Sequence, residues 1–437
     1  MSSITGVHIE RVLSYLNADV KYALLRNFEG LPHNNSSRDI DIVIEQSEFR
    51  RHRRAIIEQL TNDGWRIFSY LNNGRLITYV CMKMEGGEVG LVQWDFFIDT
   101  SVHGVRLLSA GDMVASRVFN GALYHVSKEY EFLDKYLYNR AVGAQYPAKY
   151  GALRAEVELS DEVVKSVKRA FGCGDLTRVD KMSGRALLLQ AFVRNFVRNP
   201  LSLFSVLWSF IIYITDFLRS DVAPKLAFTG ADGAGKTTII DMIEREMSAV
   251  YGKATEYYHF RPLLIPNLGE AAHSAGIKKE VDREYDKPHR GAKSGVVSSF
   301  VRLCYYTLDY LLGYWVKVKP VARITKLVIF DRYYNDVIVD SRRSSIHLNV
   351  KFLYLWGRLF VPKMRYNFLI TADPDVILKR KQELDREGIV SINTKMEYLA
   401  TKRGYYMIMN NGTAEEAVAT ILSIVAEGQH WRNLRRV

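Results

Sequence analysis

The sequence predicts an α/β protein in three parts: an N-terminal α+β domain over residues 1–105, a helical region over 106–222, and a C-terminal domain over 223–437 with a mostly parallel sheet. From Lys225 onward, short apolar runs rich in β-branched and aromatic residues alternate with helical stretches. Strands separated by helices need crossover connections, which favours parallel pairing. Short strands separated by turns dominate the first part, whereas the middle part has few β-branched runs.

The N-terminal part begins its sheet with DIDIVIEQ, a short strand, and continues with a basic helical stretch over 47–62. Alternating strands follow (WRIFSYL, RLITYVCMKM and EVGLVQWDFFID), with turns at Asn72-Asn73-Gly74 and Gly86-Gly87. This pattern predicts a mixed sheet with a helix on one face.

The middle part ends in an apolar segment, 201–218, in which Asp216 is the only charged residue. Pro200 precedes it, and Arg194, Arg198 and Arg219 flank it. A membrane-spanning helix needs about 20 apolar residues, so the segment is borderline in length. We expect a buried interdomain helix, with a helix lying on a membrane surface as the alternative.

The net charge of the protein limits the classes of binding partner but does not select one. The 437 residues include 60 Lys plus Arg against 48 Asp plus Glu, a net charge of +12. This charge suits phosphorylated substrates, nucleotides, nucleic acid or an anionic membrane. No basic ribbon interleaved with aromatic residues is present, so no specific nucleic-acid partner is expected. The sequence leaves open whether the chain forms a dimer.

The cysteines and the N-terminus indicate a compartment. Cys81, Cys173 and Cys304 lie far apart, without a CxxC pair or a Cys/His cluster. Neither a disulfide framework nor a zinc site is therefore indicated, and a reducing cytoplasm fits best. The N-terminus has no basic region followed by an apolar run, so no signal peptide is expected there. The expected location is the cytoplasm, with the inner face of the membrane as the alternative.

Residues 230–237, GADGAGKT, fit the phosphate-binding P-loop pattern (Walker A), GxxxxGK[ST]. An apolar strand enters this segment and a helical stretch leaves it. Glycines allow successive backbone N–H groups to turn toward phosphate oxygens at the positive end of the helix. Lys236 would reach the β- and γ-phosphates, and the Thr237 hydroxyl would ligate magnesium. The predicted ATP- and Mg²⁺-binding residues are Gly230, Gly233, Ala234, Gly235, Lys236, Thr237 and Thr238.

A second motif follows the strand over 326–330, which ends in Asp331-Arg332. A carboxylate there lies at the carboxyl edge of a parallel sheet, where open α/β sheets bind their ligands. Asp331 can hold the metal, directly or through water, and Arg332 offers a planar fork for a phosphate.

Three segments together, TGADGAGKTT, DRYY and ILKRKQELDRE, resemble thymidylate kinase and its P-loop kinase relatives. They are still more similar to the thymidylate-kinase-like proteins of bacterial surface-polysaccharide loci. The resemblance covers about 210 residues, from Lys225 to near the C-terminus. It implies a basic lid at Arg380, Lys381 and Arg386 that would stabilise an anionic transition state.

The same resemblance implies that Asp232 faces a substrate hydroxyl and that Arg261 lies on the substrate side. The sequence departs from thymidylate kinases at Thr229, where they carry Glu. It also departs after DRYY, where YNDVIVDSRRSS replaces the stretch that helps hold thymine. An acceptor other than dTMP is therefore favoured, such as a sugar, a glycolipid or another hydroxyl-bearing molecule.

The N-terminal part carries a second constellation. Asp39 and Asp41 share one face of a strand, and Asp95 lies on a later strand. Three carboxylates at one sheet edge are what two-metal nucleotidyl transfer requires. The segment LLRNFEGLPHNNSSRDIDIVI resembles the nucleotidyltransferase superfamily over about 90 residues.

That family places a Gly-Ser pair before its DxD motif. Here Leu31 follows Gly30, and Ser36 and Ser37 lie immediately before the motif. A degenerate domain that only binds substrate or glycan remains an alternative, in which Arg26 and Arg38 would contact an anion.

The leading interpretation is a P-loop phosphotransferase that uses ATP and Mg²⁺. A bifunctional chain with nucleotidyl transfer at its N-terminus, and an ATP-dependent binding or switch module, remain alternatives. No residue identifies itself as a general base, and Asp232 is the nearest candidate if the acceptor is a neutral hydroxyl.

Overall fold

The computed structural model describes residues 3–33, 39–86, 88–145, 157–219, 222–251, 255–266, 295–322, 327–381 and 384–437. They form two compact units, Met1–Ser220 together with Ala426–Val437, and Asp221–Val425. The boundaries expected at 105/106 and 222/223 stay predictions. Ser36, Ser37, Arg38 and the predicted turn residue Gly87 lie outside the described residues.

The first unit is built on a seven-stranded mixed sheet in the order β3-β4-β5-β2-β1-β9-β8. β2 pairs antiparallel with β1 and parallel with β5. A separate antiparallel pair is formed by β6 and β7. The strands are β1 Tyr22–Leu24, β2 Asp39–Ile44, β3 Arg66–Asn72, β4 Leu76–Glu85, β5 Glu88–Phe97, β6 Asp99–Val102, β7 Val105–Ser109, β8 Val118–Phe119 and β9 Tyr124–His125.

Helices cover both faces of this sheet. Ile40, Ile42 and Ile44 of β2 pack into one core, whereas Val43 packs into the other. This alternation follows from the period of two in a strand and leaves Asp39 and Asp41 on the Val43 face. The helices of the unit are Ser3–Asp19, Gln46–Thr61, Ala110–Ala115, Lys128–Val142, Asp161–Phe171, Leu176–Asp180, Gly184–Arg198 and Ser202–Arg219.

The apolar segment forms the helix Ser202–Arg219, but the expectation that it is buried is wrong. Its large side chains are widely exposed, among them Phe204 at 67%, Trp208 at 62% and Phe210 at 61%. Apolar composition alone does not decide burial, because a helix covers its apolar side chains only where other elements pack against it. Among the described residues, no helix combines the length and the apolar character needed to cross a membrane.

The second unit contains a five-stranded sheet in the order β11-β12-β10-β13-β14. Every neighbouring pair is parallel, which confirms the predicted mostly parallel α/β fold. All five residues of β10 are buried, as expected of a central strand covered on both faces. The strands are β10 Lys225–Thr229, β11 Thr255–His259, β12 Leu327–Asp331, β13 Tyr366–Thr371 and β14 Tyr405–Met409.

Helices connect these strands. Those between β10 and β14 are Lys236–Tyr251, Val296–Gly313, Lys319–Val321, Tyr334–Val339, Ser341–Ser344, Val350–Phe360, Pro374–Arg380 and Arg386–Ala400. A π-helical turn, Tyr314–Val318, joins the second and third of them. The last helix of the chain is Ala414–Leu434. Since β10 and β12 are parallel neighbours, the segments that follow them meet at one edge of the sheet.

Candidate functional site

The loop that follows β10 has a backbone that only glycine fits at several positions. Gly233 and Gly235 have φ of 87° and 91°, in the left-handed region. A Cβ on Gly230 would collide with the carbonyl oxygen of Ile370, and one on Gly235 with the side-chain amide of Asn410. The loop therefore has the close-packed, glycine-dependent shape that a phosphate cradle requires.

Lys236 begins the helix after the loop and lies buried, with 5% of its surface exposed. Its ammonium donates hydrogen bonds to the carbonyl oxygens of Gly230 and Ala231, both at 2.8 Å. The Asp232 carboxylate lies 4.0 Å away. Burial and the charge of Arg332 lower the pKa of Lys236 to about 8. The cation is thus held inside the loop, whereas Thr237 and Thr238 are exposed at the start of the helix.

Asp331 lies at the carboxyl end of β12, where the sequence predicts it, and only 7% of its surface is exposed. Its Oδ2 accepts a hydrogen bond from the Tyr257 hydroxyl at 3.0 Å and lies 3.5 Å from His259 Nδ1. Among the described residues, its buried Oδ1 has no hydrogen-bond partner. Burial alone would raise the pKa of Asp331, but the contact with His259 and the charge of Lys236 outweigh it and hold that pKa below its usual value.

Arg332 joins the loop to the helix that follows β12. Its guanidinium donates to Asp336 Oδ2 at 2.7 Å and to Asp232 Oδ1. Burial would lower the pKa of Arg332, but Asp336 and Asp232 outweigh it and raise that pKa above its ordinary value. The second oxygen of Asp232 accepts from Arg343. Asp232 is therefore bound by two arginines, both of which reach it from the segment after β12.

The predicted lid arginines have different surroundings. Arg380 donates to the carbonyl oxygen of Asn410 at 3.1 Å, and Asn410 in turn donates to the carbonyl oxygen of Ala234 at 2.8 Å. This chain of contacts ties Arg380 to the loop. Arg386 instead forms an exposed ion pair with Asp375. Closure by Arg386 stays a prediction.

Arg261 is held by neighbours in its own part of the unit. It is 2% exposed and donates to Asp309 Oδ2 at 3.0 Å, and its guanidinium lies 4.5 Å from the centre of the Tyr306 ring. Asp309 also accepts from the backbone N–H groups of Leu264 and Ile265, both at 2.8 Å. These contacts fit an arginine that organises the segment after β11, and its predicted place on the substrate side stays a prediction.

Sequence reasoning missed Asp336, Arg343, Tyr257 and Asn410. Asp336 carried a usable signal, because it lies four residues after Arg332 at the start of a helix, where such pairs meet. Arg343 lies in the YNDVIVDSRRSS segment, which the sequence marks only as a departure from thymidylate kinases. Tyr257 and Asn410 reach the site through the parallel pairing of distant strands, and no local pattern marks them.

The structure also brings together the three N-terminal carboxylates. Asp41 and Asp95 are direct partners in the register of β2 and β5. Carboxylate oxygens of Asp39, Asp41 and Asp95 lie within 4.8 Å of one another. This spacing is compatible with shared ligation of a divalent cation.

One carboxylate of this cluster, that of Asp41, is already paired with a neighbouring arginine, Arg26. Arg26 contacts Asp41 at 2.6 Å and 3.1 Å, and donates to Asp134 Oδ2 at 3.0 Å. Burial, offset in part by Arg26, raises the pKa of Asp41 to about 7, and the nearby Asp39 adds to the shift. Any cation at these carboxylates would compete with the Arg26 guanidinium for Asp41.

No family model matches the sequence, and no curated protein matches it. Among solved structures, the chain is similar to thymidylate kinase from Ehrlichia chaffeensis, with 15% sequence identity and a TM-score of 0.33. The alignment covers 46% of this chain and 98% of that chain. The α/β class of the second unit is established by its own strand pairing, with a glycine-dependent loop between its central strand and the following helix.

Proposed function

We propose that the second unit is an ATP- and Mg²⁺-dependent phosphotransferase. Its acceptor is a nucleotide, sugar or glycolipid other than dTMP, and surface polysaccharide synthesis is the proposed setting. The observation that carries this proposal is a cluster at one sheet edge. It contains buried Lys236, Asp331, whose buried Oδ1 has no hydrogen-bond partner among the described residues, and Arg332, which is bound to the loop residue Asp232.

The residues fit a nucleoside triphosphate and its metal ion. The glycine-dependent backbone after β10 supplies N–H groups for phosphate oxygens, and Lys236 supplies a buried positive charge. Asp331 Oδ1 is a buried anionic oxygen, and Thr237 is accessible, so both can ligate Mg²⁺. Bound Mg²⁺ would neutralise phosphate charge, and ATP would supply the phosphoryl group.

The side chains of the chain would position and stabilise the reacting groups. Lys236 neutralises charge on the phosphates, and Arg380, tied to the loop through Asn410, is placed to contribute further positive charge. Arg332 and Arg343 lie beside the loop, where both pair with Asp232 and Arg332 also pairs with Asp336. A phosphate or another anionic group of the acceptor would bind there.

Asp232 serves, on this proposal, to hold Arg332 and Arg343 rather than to remove a proton. Each of its carboxylate oxygens is already engaged by a guanidinium. A general base must reach the proton that it removes, and an oxygen held in such an ion pair competes poorly for that task.

Two other functions remain as alternatives. Nucleotidyl transfer by the first unit is favoured by the carboxylates within 4.8 Å of one another, although Arg26 occupies Asp41. An ATP-dependent switch would use the same loop without making a phosphorylated product. For location, we propose the cytoplasmic side of a membrane, with the exposed apolar helix Ser202–Arg219 as the contact. A dimer is compatible with this proposal.

Lys236→Ala tests the phosphotransferase. We expect ATP turnover and labelled product to fall at least about 100-fold, because a buried charge that neutralises the transferring phosphoryl is lost. The assay uses radiolabelled ATP with a panel of nucleotides, sugars and glycolipids, and exposed Lys351→Ala is the matched control. Equal activity in Lys236→Ala and wild type would refute the assignment. Stoichiometric ATP binding by wild type without turnover would favour the switch instead.

A further inference from the structure

The second unit contains a cavity of about 450 Å³ that the proposed phosphotransfer site does not use. It lies among the helices Tyr334–Val339 and Val350–Phe360 and the residues that precede β13 and β14. None of the described residues that line it belongs to loop 230–238. Its volume falls within the range of small-molecule sites, roughly 300–1,000 Å³.

The charge of the cavity wall is of one sign. Arg358, Lys363, Lys402 and Arg403 line it, and no Asp or Glu is among the described lining residues. Arg358, Lys363 and Arg403 are exposed, and within the described part of the chain they have no ion pair or side-chain hydrogen bond. A concave surface lined by one sign of charge concentrates counter-ions, so this cavity favours an anionic ligand.

Four tyrosines and two asparagines form much of the rest of the wall, and hydrogen bonds fix most of them. Tyr405 donates to Asn335 Oδ1 at 2.9 Å, and Asn335 donates to Asn367 Oδ1 at 2.8 Å. The Tyr334 hydroxyl donates to the carbonyl oxygen of Leu353 at 2.8 Å. A side chain at Gly357 would collide with the Tyr334 ring, so the absence of a Cβ there allows that ring to lie against the neighbouring helix. The wall is therefore pre-formed, which lowers the entropic cost of binding.

We propose that this cavity binds a small phosphate-bearing ligand at a site separate from the loop that would hold ATP. Arg358, Lys363 and Arg403 would pair with the phosphate. The tyrosine wall would contact the remainder of the molecule, since rigid aromatic side chains supply contact area at low entropic cost.

The experiment measures AMP binding by calorimetry in the full-length Lys236→Ala protein, so that the ATP loop contributes little. Adding Arg358→Ala, Lys363→Ala and Arg403→Ala should weaken AMP binding at least about tenfold. The matched triple control, Lys165→Ala, Lys168→Ala and Lys351→Ala, removes equal charge from exposed positions outside the cavity and should leave the affinity within about twofold. Adenosine, which lacks the phosphate, should bind at least about tenfold more weakly than AMP.

Three results would overturn the proposal: no AMP binding at millimolar concentration, equal affinity in the cavity and control variants, or equal affinity for AMP and adenosine. Thermal melts verify folding of every variant. If the triple cavity variant unfolds, the single exposed substitution Arg403→Ala replaces it, with an expected threefold or greater loss against Lys351→Ala. The separate activity assay of Lys236→Ala distinguishes failure of this site from failure of the phosphotransferase.

Discussion

Arg332 shows how much one residue contributes to the site. It has a φ of 65°, which is uncommon for a residue with a side chain and costs about 1–3 kcal/mol. That conformation follows directly after β12, and the backbone N–H of Arg332 still donates to the carbonyl oxygen of Phe228 at 2.9 Å. The turn brings the guanidinium between Asp232 and Asp336. Backbone strain is thus present where two charged segments must meet.

Arg343 gives the first prediction at this scale. Arg343→Ala should raise the KM for the acceptor about tenfold, roughly 1.4 kcal/mol, while the KM for ATP changes less than twofold. The reason is that Arg343 pairs with Asp232 beside the loop, where, on the proposed function, an anionic group of the acceptor would bind. Steady-state kinetics with the acceptor identified by the panel assay measure this effect.

Arg342→Ala is the matched control, because Arg342 is the exposed neighbour of Arg343. Arg343→Lys should recover part of the lost affinity, since it keeps the charge but not the planar fork. An unchanged acceptor KM in Arg343→Ala, or an equal effect in Arg342→Ala, would remove Arg343 from the acceptor site.

The sequence predicts those functional residues that belong to one short continuous motif. Gly230 to Lys236 follow one another in the chain, and their chemistry depends on backbone shape over a few residues. Asp336 and Arg343 are different, because their contacts depend on the three-dimensional fold. Asp336 binds Arg332, and Arg343 binds Asp232 of the loop, which is distant in sequence. Arg386 shows the converse: a basic residue in a lid-like stretch pairs with nearby Asp375 instead.

At the scale of elements, the strands were easier to predict than the surroundings of the helices. β10 (KLAFT) and β12 (LVIFD) are mostly apolar and buried along their whole length, which is typical of strands covered on both faces. The helix Ser202–Arg219 is also strongly apolar. Whether its side chains are buried depends on which other elements pack against it, and the local sequence pattern does not show this. The exposure of this helix is the largest difference between the structure and the sequence analysis, which expected it to be buried.

This exposed helix gives a prediction for membrane binding. Replacing Phe204, Trp208 and Ile211 by Ser should reduce binding to vesicles of phosphatidylcholine and phosphatidylglycerol at least about fivefold. These side chains are 67%, 62% and 48% exposed, so their removal takes away apolar surface that a bilayer interface would cover. Vesicle flotation measures the bound fraction.

The control replaces Val7, Val118 and Phe119, which are also exposed, by Ser. These three lie on other elements, and their replacement should leave vesicle binding within about 1.5-fold. The same loss in both triple variants would mean that general surface hydrophobicity, and not this helix, governs binding.

At the scale of the whole molecule, each unit has its own group of carboxylates and cations. The sequence predicts both groups, because DxD on a strand and GxxxxGK[ST] after a strand are short patterns. It does not predict Arg26 on Asp41, since Arg26 lies before β2 and reaches that carboxylate only through the pairing of β1 with β2. Whether the first unit binds metal therefore depends on competition between a metal ion and the Arg26 guanidinium for Asp41, which the local sequence does not show.

The Asp39→Asn/Asp41→Asn variant tests that competition. In the absence of nucleotide, we expect it to bind one Mn²⁺ ion fewer than wild type by electron paramagnetic resonance. The carboxylate oxygens lie within 4.8 Å of one another, and a divalent cation gains more from two anionic ligands than from their neutral amides. Asp19→Asn/Asp161→Asn, on other elements, is the control and should keep the wild-type number of ions.

Equal Mn²⁺ binding in wild type and Asp39→Asn/Asp41→Asn would show that Arg26 keeps the cluster closed to metal. Nucleotide incorporation that persists in the same variant would exclude these carboxylates as a nucleotidyl-transfer site.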